Sequence, residues 1–405
     1  MSSASYERTL RPPPRAGRIQ FLERTAFAIL ERALTQLEGG TLEVRLPGGA
    51  VRSFGSGPPV SMEIHDSRFF RRVATRGKLG VGESYTAGEW DSDNPVALFE
   101  LLLRNADSAA CRHQFVRRLL ESRPRLNRRN GLLAAKRNIA YHYDLGNELF
   151  GLMLDETMTY SCAVFEGVEQ PLADAQRLKY RRICEKLDLQ PTDRVLEIGC
   201  GWGGFARFAA EEYDCTVTGL TISAEQAAMA RTRTAGLGVR ILEEDYRMHE
   251  GRYTKIASIE MLEAIGERQF PTYFEKIDSL LEPGGMACVQ TILVPDERWD
   301  RYRKAPDWIE RYVFPGCLIP SLGALSHALA GSELEVRDVD QIGPHYAETL
   351  RRWRTSFHER LADVRELGHG TRFERTWDFY LAFCEAAFRT GTLRNAQLTL
   401  ARQGV

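Results

Sequence analysis

A glutamate two residues ahead of a run of closely spaced glycines is the arrangement in this chain best suited to chemistry. The stretch Arg194-Val195-Leu196-Glu197-Ile198-Gly199-Cys200-Gly201-Trp202-Gly203-Gly204-Phe205-Ala206 begins as a short apolar run, which predicts a buried strand. The glycines break it, and Phe205 to Ala210 predict the first turns of a helix. Gly199, Gly201 and Gly204 therefore sit on a strand–loop–helix corner. Glycine suits such a corner because a side chain would keep a ligand off the backbone, and because the turn requires positive φ at some positions.

A dinucleotide site would place an acid about 20 residues further on, at the end of the next strand, against a ribose hydroxyl. That strand is Thr216–Leu220, Thr221-Ile222-Ser223 follow it, and no carboxylate comes before Glu225. The acid lies early instead, at Glu197. This placement resembles S-adenosylmethionine-dependent methyltransferases, where the carboxylate lies near the amino group of the methionine part. A nicotinamide or flavin enzyme and a purely structural glycine corner remain open on the motif alone.

The elements that position this corner follow from periodicity. Strands and helices alternate over Arg194–Ile198, Phe205–Glu212, Thr216–Leu220, Ala224–Thr234, Val239–Glu243, Ile256–Ile259, Gln269–Leu281 and Met286–Leu293. Alternation of this kind predicts an α/β fold, a parallel doubly wound sheet with helices on both faces. Ligands in such sheets bind beyond the carboxyl ends of the strands. The polar groups expected there are Gly199–Gly204, Thr221–Gln226, Asp245-Tyr246-Arg247 and Glu260–Gly266. Asp245 and Tyr246 are accordingly candidate cofactor contacts. A helical insertion is expected over 295–320, as plain core packing or as a cap over an apolar pocket, because it follows directly on a strand end. Leu334–Val339 predicts a late strand, and His345–Leu361 and Arg372–Phe388 predict helices.

A smaller α+β module is expected ahead of this domain. Residues 1 to about 18 predict an extended tail. Phe21 to Leu37 predicts an amphipathic helix, and Thr41–Leu46 with Val51–Phe54 a hairpin turned at Pro47-Gly48-Gly49-Ala50. Ser67–Thr75 predicts a helix, Gly77–Gly88 a glycine-punctuated loop, and Asn94-Pro95 the start of a helix through Leu103. The expected division is 1–120 for this module, 121–137 for a basic linker and 138–405 for the catalytic domain. Arg104–Arg137 carries Arg112, Arg117, Arg118, Arg123, Arg125, Arg128, Arg129, Lys136 and Arg137 against Asp107 and Glu121. It is a solvated linker or a surface for anionic lipid headgroups, each such charge contributing ~1 kcal/mol near an anionic membrane.

Composition bounds the rest. The chain has 405 residues and a formal net charge of -1, which argues against a nucleic-acid protein on bulk grounds. It has no run of 18 or more apolar residues, so no spanning helix is expected. The N-terminus shows no charged-then-apolar signal segment, so a cytoplasmic chain is expected. The eight cysteines are scattered without a C-x-x-C pair, so neither a disulfide framework nor a metal site is expected.

Seven runs in one order resemble the cyclopropane-fatty-acyl-phospholipid synthases and the related mycolic acid cyclopropane synthases. They are Tyr141–Asn147, Met158–Ala163, the Glu197–Gly204 corner, Thr221–Gln226, Glu260-Met261-Leu262-Glu263, Phe314-Pro315-Gly316 and His345–Leu350. The resemblance implies a Rossmann-like class I methyltransferase sheet with a helical insertion. It implies that a methyl group passes from S-adenosylmethionine to a cis double bond of a phospholipid acyl chain, and that proton loss closes a cyclopropane ring. It assigns the cofactor to Tyr160, Ser161, Gly199, Gly201, Thr221, Ile222 and Gln226. It assigns a bicarbonate base to positions matching Cys162, Glu263, Ile292 and Tyr346. One position departs: the family's usual histidine is Gln290 here. Glutamine donates a hydrogen bond but carries no positive charge. A glutamine at this place also resembles a subgroup that includes plant synthases.

An alkene is a weak neutral nucleophile, so alignment, a dry cation-tolerant pocket and a nearby base are what this chemistry needs. Trp202, Tyr246, Tyr312, Phe314 and Tyr346 are candidate cation-stabilising faces, with core packing as the alternative. Glu263 is the carboxylate expected to orient or be the base, or else a helix-start acid. Cys162 is expected to contact an anion or to pack rather than to act as a nucleophile. Because acyl chains are held in a bilayer, peripheral association with the inner face of the membrane is expected, with a homodimer as a further role for residues 1–135. Rival readings are methyl or methylene branching of the same alkene, a small-molecule methyltransferase, and a non-enzymatic lipid carrier.

Overall fold

The computed structural model describes Phe27, Ala28, Leu30, Glu31, residues 34–106 and residues 146–403. The expected tail, most of the helix expected over 21–37, the basic stretch from Asp107 on and the Tyr141–Leu145 run lie outside the described residues. The chain divides into two compact units, Met1–Ser122 and Arg123–Val405.

In the first unit β1 (Gly40–Arg45) and β2 (Val51–Ser56) form the expected antiparallel hairpin. β3 (Pro59–Ile64) runs parallel to β1, and the short β4 (Trp90–Asp91) completes the order β2-β1-β3-β4. Between and after these strands lie the helices α1 (Arg68–Arg76), α2 (Lys78–Thr86) and α3 (Pro95–Asn105). The side chain of Asn94 caps α3 by accepting from the Ala97 N–H at 3.0 Å. The loop expected over Gly77–Gly88 is largely the helix α2. Glycine inside a helix costs about 1 kcal/mol relative to alanine. Here close approach offsets that cost, because a Cβ on Gly80 would lie 2.4 Å from the Arg72 carbonyl on α1.

The second unit is a seven-stranded sheet of order β10-β11-β9-β8-β5-β6-β7. Its strands are β5 (Arg194–Ile198), β6 (Thr216–Thr221), β7 (Val239–Glu243), β8 (Tyr253–Ile259), β9 (Leu281–Leu293), β10 (Leu334–Gln341) and β11 (Arg394–Arg402). β5 to β9 are parallel, as expected. The sheet as a whole is mixed, because β11 lies between β9 and β10 and runs antiparallel to both. β11 was not anticipated from sequence. Polar Asn395, Gln397 and Thr399 alternate with Ala396, Leu398 and Leu400, so the two-residue period of a strand is present in the sequence, and the structure buries both faces.

Helices cover the sheet on both sides, and those that accompany it include α4 (Asn147–Met153), α5 (Leu172–Lys186), α6 (Gly204–Tyr213), α7 (Ala224–Arg233) and α8 (Phe270–Leu280). Phe274, Ile277 and Leu280 of α8 pack with Leu196, Ile256 and Leu398 in one layer. Tyr180 and Ile183 of α5 pack with Phe205 and Phe208 of α6 in the other. After β9 the insertion forms two short helices, Asp296–Tyr302 and Trp308–Tyr312, and its base is closed by Val294 N–H donating to the Pro320 carbonyl at 2.8 Å. Two long helices, Gly343–Glu359 and Thr371–Arg389, pack against each other before β11. Among the described residues no helix is long and apolar enough to cross a membrane. No group of three or more His, Cys, Asp or Glu is placed to hold a metal among them.

Candidate active site

The glycine corner is held to the end of β6. The N–H groups of Gly199 and Cys200 both donate to the Leu220 carbonyl, at 3.0 and 2.8 Å. Gly199, Gly201 and Gly203 have φ of 84°, 50° and 82°, where a side chain is strained. The glycines differ in what they make room for. A Cβ on Gly199 would meet Met261 Cγ at 2.7 Å, whereas one on Gly201 would point into open space. A Cβ on Gly204 would meet the Tyr180 hydroxyl at 2.5 Å and the Thr157 carbonyl at 2.9 Å. Gly204 thus serves the packing of the helix start, while Gly201 leaves the corner open to a ligand.

Glu197 is buried behind this corner. Burial pushes its carboxyl up to about 8, opposed by a backbone hydrogen bond from Ala206 and by the Lys179 charge. Its Oε2 has no hydrogen-bond partner among the described residues. A buried carboxylate oxygen lacking a donor costs stability until a donor arrives. An orphaned acceptor beside an open glycine turn fits the ammonium end of S-adenosylmethionine. Thr221, Ile222 and Gln226 follow at the next strand end, where Thr221 Oγ1 donates to Gln226 Oε1 at 2.9 Å. Asp245 and Tyr246 lie beyond β7. Asp245 is gripped by Arg247 through the backbone N–H, Nε and Nη2, at 3.0, 2.8 and 2.6 Å, which holds its carboxyl below the usual range despite partial burial. Tyr246 packs edge-on against Tyr273 in the core.

Tyr160 and Ser161 enter from the extended segment between Leu154 and Pro171. Two residues of α5, one turn apart, fix Ser161: Gln176 Nε2 donates to its carbonyl at 3.0 Å, and Lys179 Nζ to its hydroxyl at 2.8 Å. Lys179 is wholly buried, and desolvation lowers its ammonium to about 8 although nearby Glu260, Cys162, Asp155 and Glu197 oppose this. Tyr160 is ringed by Phe150, Trp353 and Phe314, and its hydroxyl meets that of Tyr380 at 2.8 Å. Tyr346 stacks on Phe388 at 4.5 Å. Of the five aromatics expected to face a cation, Phe314 and Tyr346 join this wall. Trp202 packs on Phe150 and so touches its edge. Tyr246 lies in the sheet core, and Tyr312 packs on Trp308 in the insertion.

Two carboxylates occupy the end of β8. A short 3₁₀ turn, Leu262–Ala264, brings Glu263 back beside Glu260. Glu263 Oε1 accepts from the Ile292 N–H and from the Thr291 hydroxyl, while its buried Oε2 has no partner among the described residues. Burial first, and the Glu260 charge second, raise its carboxyl well above the ordinary range. The Leu318 N–H, from the end of the insertion, donates to the Glu263 carbonyl at 2.8 Å, which seats the insertion on the site.

Glu260 is the residue that sequence reasoning missed. Its φ is 51°, a left-handed conformation uncommon for a residue with a side chain. Four donors from four different segments converge on its carboxylate. Cys162 N–H, Gln290 Nε2 and Asn395 Nδ2 donate to Oε1 at 3.0, 2.9 and 2.7 Å, and the Tyr346 hydroxyl donates to Oε2 at 2.6 Å. The sequence does contain one signal, two carboxylates three residues apart just past a strand. Asn395 gave none, since it lies on the unanticipated β11.

The donors thus engaged are those the resemblance reserved for bicarbonate. Cys162, Gln290 and Tyr346 hold Glu260, and Ile292 holds Glu263. An added anion would meet two protein carboxylates and no free donor from this set, so the residues present do not fit bicarbonate. Cys162 itself offers its backbone. Its thiol is buried, points at the carbonyls of Ala163 and Ile342, and is pushed well up by burial and then by Glu260.

Comparison with known proteins identifies the family. The family model described as mycolic acid cyclopropane synthetase matches residues 132–398. The chain is 41% identical over 400 residues to a tuberculostearic acid methyltransferase of Mycobacterium tuberculosis, covering 94% of this chain and 92% of that one. It is 36% identical over 348 residues to the cyclopropane-fatty-acyl-phospholipid synthase of Escherichia coli K12, covering 85% and 88%. Among solved structures, a cyclopropane synthase of Mycobacterium tuberculosis superposes with a TM-score of 0.62 at 30% identity, over 66% of this chain and 98% of that one. A mycolic acid cyclopropane synthase solved with SAH and CTAB superposes with a TM-score of 0.61 at 31% identity, over 66% and 98%. The sheet is that of the class I methyltransferases, and the chain belongs to the mycolic acid cyclopropane synthetase family of S-adenosylmethionine-dependent methyltransferases.

Proposed function

We propose that this enzyme methylates the cis double bond of an unsaturated acyl chain in a membrane phospholipid and completes the reaction by proton loss, closing a cyclopropane ring. The observation that carries this reading is the pair of carboxylates at the end of β8, walled by Tyr160, Phe314, Tyr346 and Tyr380, next to the open glycine corner. S-adenosylmethionine, when bound, supplies the electrophilic methyl group. Gly199, Gly201 and the orphaned Glu197 oxygen would hold its methionine end, and Ser161, fixed by Lys179 and Gln176, would border it. The aromatic faces attract the cation that an alkylated double bond becomes, and their apolar bodies exclude water that would trap it. The relatives' names point to the same substrate class, a fatty acyl chain.

A second product is favoured by one specific observation: the chain that is 41% identical is named for tuberculostearic acid, not for a ring. In that reading a hydride moves from the methylated carbon to its cationic neighbour and the new methyl group then loses a proton, leaving a methylene branch that a separate reductant would have to saturate to a methyl branch. Mass spectrometry of lipids from cells expressing the protein separates the two. Ring closure adds one CH₂ unit and consumes the double bond, whereas a methylene branch adds the same mass but still takes up hydrogen. No change in the acyl chains would reject both.

The substrate must be reached in a bilayer, and residues 1–135 supply a module and a basic stretch without a catalytic motif. Their assignment is peripheral attachment to an anionic membrane surface on the cytoplasmic side, or contact between two copies of the chain. Equal co-sedimentation with neutral and anionic vesicles at low salt would reject the electrostatic part, since screening weakens such attraction as salt rises.

A further inference from the structure

The carboxylate of Glu260 sits where this fold was expected to hold a dissolved anion. It takes hydrogen bonds from an N–H, two amides and a phenol, drawn from the Cys162 segment, β9, β11 and the Gly343–Glu359 helix. Four donors from four segments fix the position of this carboxylate. The left-handed backbone at Glu260 is the kind of local strain kept at functional sites. Glu263, three residues on, is in the opposite condition, desolvated and with one oxygen unpartnered. The two acids thus differ in geometry: Glu260 is met by donors on both oxygens, Glu263 on Oε1 alone among the described residues.

Resting on the proposed methylation of an acyl alkene, we propose that Glu260 is itself the base of the reaction, a covalently tethered carboxylate that replaces bicarbonate. A C–H bond of the newly added methyl group breaks, and its electron pair forms the bond to the cationic carbon that closes the ring. For a branch, the hydrogen on the methylated carbon first moves as hydride to the cationic carbon, and the methyl C–H pair then becomes the methylene double bond. The proton forms an O–H bond with the Glu260 carboxylate, so charge and atoms balance without a further reactant. Gln290 fits this arrangement better than the usual histidine, because a neutral amide donates to Glu260 without adding a charge that would weaken the base. Asn395 supplies the additional donor to Oε1.

The test uses the full-length protein with S-adenosylmethionine and vesicles of unsaturated phosphatidylglycerol. The wild-type rate should be unchanged between carbon-dioxide-depleted buffer and buffer with added bicarbonate. Glu260→Gln should lower turnover about 100-fold or more, the span of a lost general base, with S-adenosylhomocysteine affinity within about threefold of wild type, well under the tenfold worth 1.4 kcal/mol. Glu260→Gly should leave a vacant cradle. It should regain rate with added formate or bicarbonate, and ¹³C-labelled bicarbonate should show line broadening with that variant and not with the wild type. A wild-type rate that depends on bicarbonate, or a Glu260→Gln enzyme retaining a tenth of wild-type turnover, would overturn the proposal. Should the variants fail to fold, the bicarbonate dependence of the wild type still decides. Wild-type protein that modifies no unsaturated lipid would instead reject the underlying methylation.

Discussion

Gln397 donates its side-chain amide to Gln290 Oε1 across 3.1 Å, from the position directly opposite on the neighbouring strand. The bond fixes which way the Gln290 amide faces, and so which of its atoms meets Glu260. β11 therefore takes part in the site twice, through Gln397 behind Gln290 and through Asn395 at the carboxylate. Gln397→Met should leave Gln290 Oε1 buried without a donor, at a cost of ~1–3 kcal/mol in stability. Turnover should fall about tenfold, the equivalent of ~1.4 kcal/mol of lost alignment. Thermal melting and steady-state rates check both. Unchanged turnover would mean that Gln290 needs no orienting partner.

Glu197 makes stability depend on pH in the absence of ligand. Its folded carboxyl is raised from 4.5 to about 8 by burial. A raised acid binds its proton more tightly in the folded state than in the unfolded one. Its contribution is thus complete below the unfolded value and is lost as pH rises through about 8. Glu197→Gln removes this titration. From about pH 5 to about pH 8.5 the ligand-free wild type should lose melting temperature relative to Glu197→Gln. S-adenosylhomocysteine, whose ammonium would meet the orphaned oxygen, should shrink the loss. A gap between the two proteins that does not move with pH would show that Glu197 titrates normally.

The glycine corner separates binding from folding. Gly201→Ala would put a methyl into open space at a φ of 50°. It should cost ~1–2 kcal/mol in backbone strain and weaken S-adenosylhomocysteine binding by more than tenfold, about 1.4 kcal/mol. Gly204→Ala would drive a methyl onto Tyr180 and the Thr157 backbone. It should destabilise the fold by ~1–3 kcal/mol with a smaller effect on affinity. Isothermal titration and thermal melting distinguish the two. The reverse ranking in affinity would return Gly204 to the cofactor site.

The sheet was legible because its parallel strands are short apolar runs between strongly amphipathic helices, and Arg194–Ile198 and Val239–Glu243 fall on the expected residues. The glycine corner was legible as a strand–loop–helix turn because its apolar run and its glycines are contiguous in sequence. The surroundings of Glu260 were not. Glu260 belongs to a run that was read for Glu263, and what singles it out is convergence of donors from positions 162, 290, 346 and 395, which no local pattern encodes. Gln290 read as a lost histidine, because its counterpart, a carboxylate on the adjacent strand end, is a tertiary fact. The helix α2 was hidden by its glycines, of which Gly80 makes room for the close approach of α1, whereas β11 carries the alternation of Asn395, Gln397 and Thr399 with Ala396, Leu398 and Leu400 that marks a strand.

Cys162 separates side chain from backbone. Its N–H donates to Glu260 at 3.0 Å, while its thiol is buried against the Ala163 and Ile342 carbonyls. Burial and the Glu260 charge both hold the thiol protonated, and the thiolate is the nucleophilic form. What Cys162 offers Glu260 is therefore its peptide N–H, which substitution by alanine preserves. Cys162→Ala should retain turnover within about threefold, less than the tenfold that 1.4 kcal/mol would bring. It should lose only ~1 kcal/mol of stability for the small volume removed. Iodoacetamide should leave Cys162 unmodified in the folded protein, as read by peptide mass mapping. A Cys162→Ala enzyme without activity but with normal melting and cofactor affinity would assign the thiol a direct part in the reaction.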